Sequence, residues 1–234
     1  MKKAHLIALL TVIMLMSVIF VLNVSVSTKQ GVNYQVHQIR LPLYLKILDF
    51  VDRHYNYKNL VSNILGDTKD DNDKTIKIFN WITSNVRKNP KELPIIDDHP
   101  LNILIRGYGE RDQFEDIFTI LCTYARLQAF TKMFKNPSGE VYFISFVRIK
   151  GKWCPLSAFA NAYSVKNGAI ASVDDILVDN KLLAPLESSL PNFDPGSFLK
   201  EIRSMDFNIW SSRVKGQSPV GRAICFIKNI FDRN

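Results

Sequence analysis

The stretch from Leu6 to Leu22, LIALLTVIMLMSVIFVL, carries no charged residue over 17 positions and has no polar face. A helix that is apolar all round is either the core of a large protein or a membrane span, and at a terminus it reads as the second. Lys2 and Lys3 precede the run, and Asn23-Val24-Ser25-Val26-Ser27 follow it. Val24 and Val26 extend the expected span to residues 6–26, close to the roughly 20 residues that cross a bilayer. Two outcomes fit this pattern. As a retained single-pass anchor, the run keeps residues 1–5 cytoplasmic and sends the rest of the chain outside. As a signal peptide cleaved near Ser25 and Ser27, it yields a secreted or periplasmic product. The apolar region of signal peptides is normally only about 7 to 15 residues long, which favours the anchor. No cysteine follows the run, so a lipoprotein anchor is excluded.

The remainder suffices for one cored domain. The expected division is a linker over 27–40, a domain over 41–190, and an extension over 191–234. A first helix opens at LPLYLKILDFVDRH on Leu45, Leu48 and Val51, widened by Ile47 and Phe50, and continues through Leu60, Val61, Ile64 and Leu65 to a stop at Gly66. Thr68 to Asp71 reads as a capping box for a second helix through about Val86, with Ile78, Phe79, Ile82 and Val86 on one face and Trp81 widening it. Residues 88–100 are proline-broken and read as loop. Gly107 to Phe130, GYGERDQFEDIFTILCTYARLQAF, is the central element. Its apolar residues Phe114, Ile117, Phe118, Leu121, Cys122 and Ala125 make one helical stripe behind a glycine turn.

Beyond the turn Asn136-Pro137-Ser138-Gly139, the run VYFISFVRI over 141–149 is apolar on both faces and predicts a buried strand. Lys150-Gly151 reverses the chain into a second strand from Lys152, with Pro155 at its end or on an edge. Ser172 to Asp175 is another capping box, opening a short helix, and Phe198 to Met205 reads as a brief one. The tail SPVGRAICFIKNIFDRN is a basic amphipathic helix that either lies on an anionic membrane or docks on the domain.

These motifs, in this order, resemble the transglutaminase-like superfamily. DKTIKIFNWITSNVR is similar to the helix before that family's nucleophile, GYGERDQ to its glycine-aromatic-Cys-Asp-Gln helix start, and GKWCPLS to its glycine-basic-tryptophan strand. The resemblance covers roughly 41–183. It implies an α+β, papain-like core with N-terminal helices packed on an antiparallel sheet, behind one transmembrane helix. The family's Cys, His and Asp positions are matched here by Arg111, Tyr142 and Ser157. A guanidinium offers no lone pair for attack and cannot serve as a base near neutral pH. A phenol with an ordinary pKa near 10 is protonated there, and a hydroxyl carries no charge to balance an imidazolium. The resemblance therefore implies a cleft without the family's triad. Candidate cleft residues are Asp112, Gln113, His99 and Trp153. Arg111 is expected to join a local ion-pair network with Glu115, one turn on, and the flanking Glu110 and Asp112, or to meet an anionic ligand.

Cys122, Cys154 and Cys225 form no CxxC spacing, zinc signature or disulfide framework. No cofactor or metal is expected. His54 reads as structural. The formal charge of +8 includes Lys2 and Lys3, and the other basic residues are dispersed among acids, so nucleic acid is not an expected partner. The resulting expectation is a membrane-anchored, non-catalytic transglutaminase-like protein that binds an envelope glycan, peptide or protein, with surface-polysaccharide assembly implied by the Cys-Asp-Gln resemblance. The alternative is a diverged acyl-transferring or amide-hydrolysing enzyme that uses other residues.

Overall fold

The computed structural model describes residues 2–32, 35–90 and 99–207. Helix α1 (Lys2–Asn23) contains the apolar run, and no part of its most apolar window is buried in the rest of the chain. Its 22 residues make a rod of about 33 Å, enough to cross a hydrocarbon core of about 30 Å. The helix stops earlier than the sequence suggests. Val24 lies in a bend and Val26 in strand β1 (Ser25–Val32), which pairs antiparallel with β2 (Gln35–Pro42). The stretch read as a linker, 27–40, is therefore most of a β-hairpin, in keeping with β-branched Val26, Thr28, Val32, Val36 and Ile39.

Helix α2 (Leu43–Leu65) begins where α1 ends, because the Leu43 N–H donates to the Val24 carbonyl at 2.9 Å. Gly66, at φ +54, stops it as expected. Its predicted apolar stripe divides in two. Tyr57, Val61 and Leu65 are buried in the domain, whereas Leu45, Ile47, Leu48 and Val51 are exposed. Helical spacing alone does not reveal that α2 projects beyond the body it packs on.

Helix α3 (Asp71–Asn85) is capped by Asp70, not by Thr68. The Asp70 carboxylate accepts from the Asn72 and Asp73 N–H groups at 2.9 and 3.3 Å, while the Thr68 hydroxyl donates back to the Leu65 carbonyl. Strand β3 (Arg87–Lys88) follows. Helix α4 (Pro100–Arg106), which the sequence reading does not anticipate, leads to β4 (Tyr108–Gly109) and then to α5 (Arg111–Tyr124). All six predicted stripe residues of α5 are buried.

Strands β5 (Ala129–Lys135), β6 (Val141–Ile149), β7 (Lys152–Ser157) and β8 (Ala162–Tyr163) form one antiparallel sheet in that order. Strand β8 reaches only Leu156 and Ser157, so Pro155 sits on a locally open edge, where its missing N–H is harmless. β6 is covered on both sides, as its composition predicts. Val147 and Ile149 join the core formed with α2, α3 and α5, whereas Tyr142, Ile144 and Phe146 join a second core.

A small pair, β9 (Val165–Lys166) and β10 (Ala169–Ile170), precedes α6 (Val173–Val178), α7 (Ala184–Ser189) and α8 (Pro195–Ser204). The Ser172–Asp175 capping box forms as read. Past position 190 the chain still packs on the sheet. Phe193, Phe198 and Ile202 are buried in the second core, so the described chain through α8 belongs to the domain. The basic amphipathic tail lies outside the described residues, as does Cys225. The architecture is thus a mixed α+β domain, with helices on both faces of a four-stranded sheet, behind one N-terminal apolar helix.

Candidate functional site

The start of α5 is fixed by two glycines with different roles. Gly107 closes α4 in a left-handed conformation, at φ +72. Gly109 permits close approach, since a Cβ there would lie 3.0 Å from Ile103 Cγ2 and 3.2 Å from Gln113 Oε1. The turn is tied to the end of α3 by parallel pairing of β3 with β4. The Arg87 and Asn89 N–H groups donate to the Gly107 and Gly109 carbonyls, each at 2.9 Å. Gln113 completes the anchor: its Oε1 accepts from the Glu110 N–H at 3.0 Å and from Arg106 Nη2 at 2.8 Å.

Arg111 is the first residue of this helix. Together with Tyr142 and Ser157 it lines one small cleft, completed by Phe143, Phe159, Leu190 and Pro191. The three positions matched to a triad in the sequence are therefore brought to one place. The cleft encloses only about 10 Å³ and opens to solvent. Pockets that bury a whole small molecule usually measure about 300 to 1,000 Å³, so this one is a shallow dimple whose enclosed part has room for about one water molecule.

Beneath the cleft lies Glu115, fully buried and bonded across three elements. Its carboxylate accepts from Ser145 Oγ at 2.6 Å, Ser157 Oγ at 2.8 Å and the Phe159 N–H at 3.1 Å. Ser157 Oγ in turn accepts from the Ala160 N–H at 3.2 Å. Burial pushes the Glu115 carboxyl up to about 7, against the opposing pull of these donors. The expected Arg111–Glu115 ion pair is absent, because Glu115 turns inward to the sheet. Arg111 instead stands 5.9 Å from the Phe159 ring centroid, and Lys88 Nζ approaches the same ring at 4.4 Å. Neither cation forms an ion pair among the described residues.

Tyr142 is stacked on Phe134 and meets Phe193 edge-on, at 5.5 and 5.3 Å between centroids. Its buried hydroxyl has no hydrogen-bond partner among the described residues. Burial, then Glu201 and Asp194, raises its pKa and keeps it protonated, so it is no general base near neutral pH. The other four candidate residues do not line this cleft. Gln113 is buried between α4 and α5. His99 caps α4 by accepting the Leu101 N–H at 3.3 Å. Trp153 packs edge-on to Phe130, 4.9 Å away in the second core, and Asp112 is exposed on the first turn of α5.

Cys122 and Cys154 are buried, and burial raises both thiols, Cys154 to about 12. His54 Nδ1 meets the Tyr124 hydroxyl at 3.1 Å, a structural contact as expected. Sequence reasoning did not identify Lys88, Phe159 or the Glu115 hub. The available signal for the hub was an acid set within the buried stripe of α5, with serines on the strands it faces.

No family model and no curated protein matches the sequence. Among solved structures, the chain is similar to a protein from Cytophaga hutchinsonii provisionally described as a cysteine protease, with 17% identity, a TM-score of 0.39, and 50% of this chain and 40% of that one covered. A protein from Parabacteroides distasonis provisionally described as a protease gives 13% identity, a TM-score of 0.39, and 57% and 36% coverage. A structure described as a TGase gives 10% identity, a TM-score of 0.38, and 56% and 43% coverage. The chain spans less than half the length of each of these three.

Proposed function

We propose that this chain is a membrane-anchored, transglutaminase-like domain whose cleft binds a ligand of the cell envelope instead of cutting or transferring an acyl group. The observation that carries this reading is the meeting of Arg111, Tyr142 and Ser157 in one cleft, with no thiol–imidazole pair among the described residues. Two cations flank Phe159 at the rim, which favours a glycan, peptide or protein that carries an acidic group. Assembly of surface polysaccharide is the setting that the sequence resemblance suggests.

Arg111→Ala is expected to weaken binding of an acidic envelope glycan or peptide by about tenfold or more, the worth of one charge-assisted hydrogen bond. Equilibrium binding to a panel of acidic and neutral glycans and peptides measures it. Unchanged affinity across the panel would remove Arg111 from the site.

A second reading rests on one contact. Ser157 donates to Glu115, so a hydroxyl nucleophile and a carboxylate base are within reach of each other. Against it, both side chains are fully buried, and Glu115 already holds two further donors. Acyl-enzyme trapping with ester and amide substrates separates the readings. The natural chain and Arg111→Cys are expected to be silent, and labelling that appears only in the triple change Arg111→Cys, Tyr142→His, Ser157→Asp would support the residue matching and a lost reaction. Wild-type labelling that disappears in Ser157→Ala would establish the enzyme instead.

With α1 retained, Lys2 and Lys3 place the N-terminus in the cytoplasm and the domain outside. Protease added to intact spheroplasts is expected to remove a C-terminal tag while sparing a cytoplasmic control. Protection of the tag would reverse the orientation, and a shortened, released product would select the cleaved signal.

A further inference from the structure

Outside α1, six of the twelve exposed large apolar side chains among the described residues lie on the first half of α2, the others being scattered along the chain. Tyr44, Leu45, Ile47, Leu48, Val51 and Tyr55 are between 38% and 58% exposed. At 3.6 residues per turn, all of these but Leu45 fall within an arc of about 100°. That arc is centred roughly a quarter turn from the one by which Tyr57, Val61 and Leu65 enter the core. The charged residues Lys46, Asp49, Asp52 and Arg53 occupy the remaining side, where Asp49 and Arg53 are ion-paired at 2.6 Å. The helix thus has a second apolar face that the domain does not cover.

We infer that the first half of α2, residues 43–55, lies on the lipid surface beside α1, with this second face turned into the acyl boundary. Its position supplies the argument for lipid. The Leu43 N–H is bonded to the Val24 carbonyl, and Lys46 Nζ donates to the Ser27 carbonyl at 3.0 Å, so the first turn of α2 is held at the end of the span. The apolar surface of α1 and that of α2 are therefore continuous. Tyrosines stand at both ends of the stripe, a placement favoured at the membrane–water boundary. Segregated apolar and charged faces are the mark of a helix lying in that boundary. The stripe also ends at Tyr55, because the next positions on the arc are Lys58 and Ser62. A coiled-coil partner asks for three or four heptads, and fewer than two are present. The inference rests on α1 remaining in the chain, and gel mobility of the cellular protein reports that separately.

The test uses the full chain in vesicles of phosphatidylcholine and phosphatidylglycerol, with the photoreactive residue p-benzoylphenylalanine replacing Leu48 or Val51, and Asp49 or Asp52 as controls. Irradiation is expected to attach lipid at 48 and 51 several-fold more than at 49 and 52. Each substituted side chain is exposed or lies outside the core, so the domain stays folded. Mass spectrometry of the adducts identifies the occupant. Crosslinking to a second copy, crosslinking to residues 208–234, equal lipid attachment on both faces, or no lipid attachment would each overturn the inference.

Discussion

Glu115→Ala is expected to destabilise the domain by about 5 kcal/mol, because three buried donors lose their acceptor at about 1 to 3 kcal/mol each. That is a large part of the roughly 5 to 15 kcal/mol that holds a domain folded. Glu115→Gln should cost only about 1 kcal/mol, since its carbonyl oxygen can still accept from Ser157 and Phe159 while its amide donates to Ser145. The pH dependence has a defined sign. The folded carboxyl titrates near 7 and the unfolded one near 4.5, so between those values the folded state holds more protons. This contribution is fully present below pH 4.5 and is lost as pH rises through 7, an effect of about 3 kcal/mol. Urea unfolding of wild type and Glu115→Gln from pH 4 to 8 isolates it from other titrating groups. A wild-type profile parallel to that of Glu115→Gln would show that the carboxyl is not perturbed.

Leu121→Ala should cost about 2 to 5 kcal/mol, the range for a fully buried leucine whose cavity relaxes only in part. Leu121 sits in the last turn of α5 and is wholly enclosed, together with Ile117, Phe118 and Cys122. The contrast is Leu45→Ala on the exposed half of α2, expected to stay within about 0.5 kcal/mol in the urea unfolding of the isolated domain. A loss below about 0.5 kcal/mol at Leu121 would place the wrong face of α5 against the sheet.

The parts of the fold written in the sequence are those where one face meets one neighbour. The stripe of α5 and the two-sided β6 follow directly from period, whereas the matching of Arg111, Tyr142 and Ser157 comes from the resemblance, counted from the helix start and from Trp153. What failed was partner choice. Glu115 and Arg111 are one turn apart, and helical spacing offers them an ion pair. Ser145, Ser157 and the Phe159 N–H compete for the same carboxylate from the sheet, which local spacing does not reveal. In the same way, an apolar stripe along α2 says that something covers it, but not that the domain covers only its second half. Gln113 and His99 were read as ligand residues because they flank the glycine turn. Each was already engaged in holding a helix terminus.

With α1 retained in a bilayer, the hairpin between α1 and α2 has a mechanical meaning. The chain leaves the end of α1, travels out along β1, returns along β2, and comes back to within one hydrogen bond of its departure. Its contour length is therefore uncoupled from how far the domain stands off the bilayer. A flexible tether would let the cleft wander through a volume that grows with tether length. Here residues added in pairs to the two strands would lengthen only a sideways arm, while a single peptide-to-peptide bond sets the standoff. With α1 retained in a bilayer, the domain rides on a short lever.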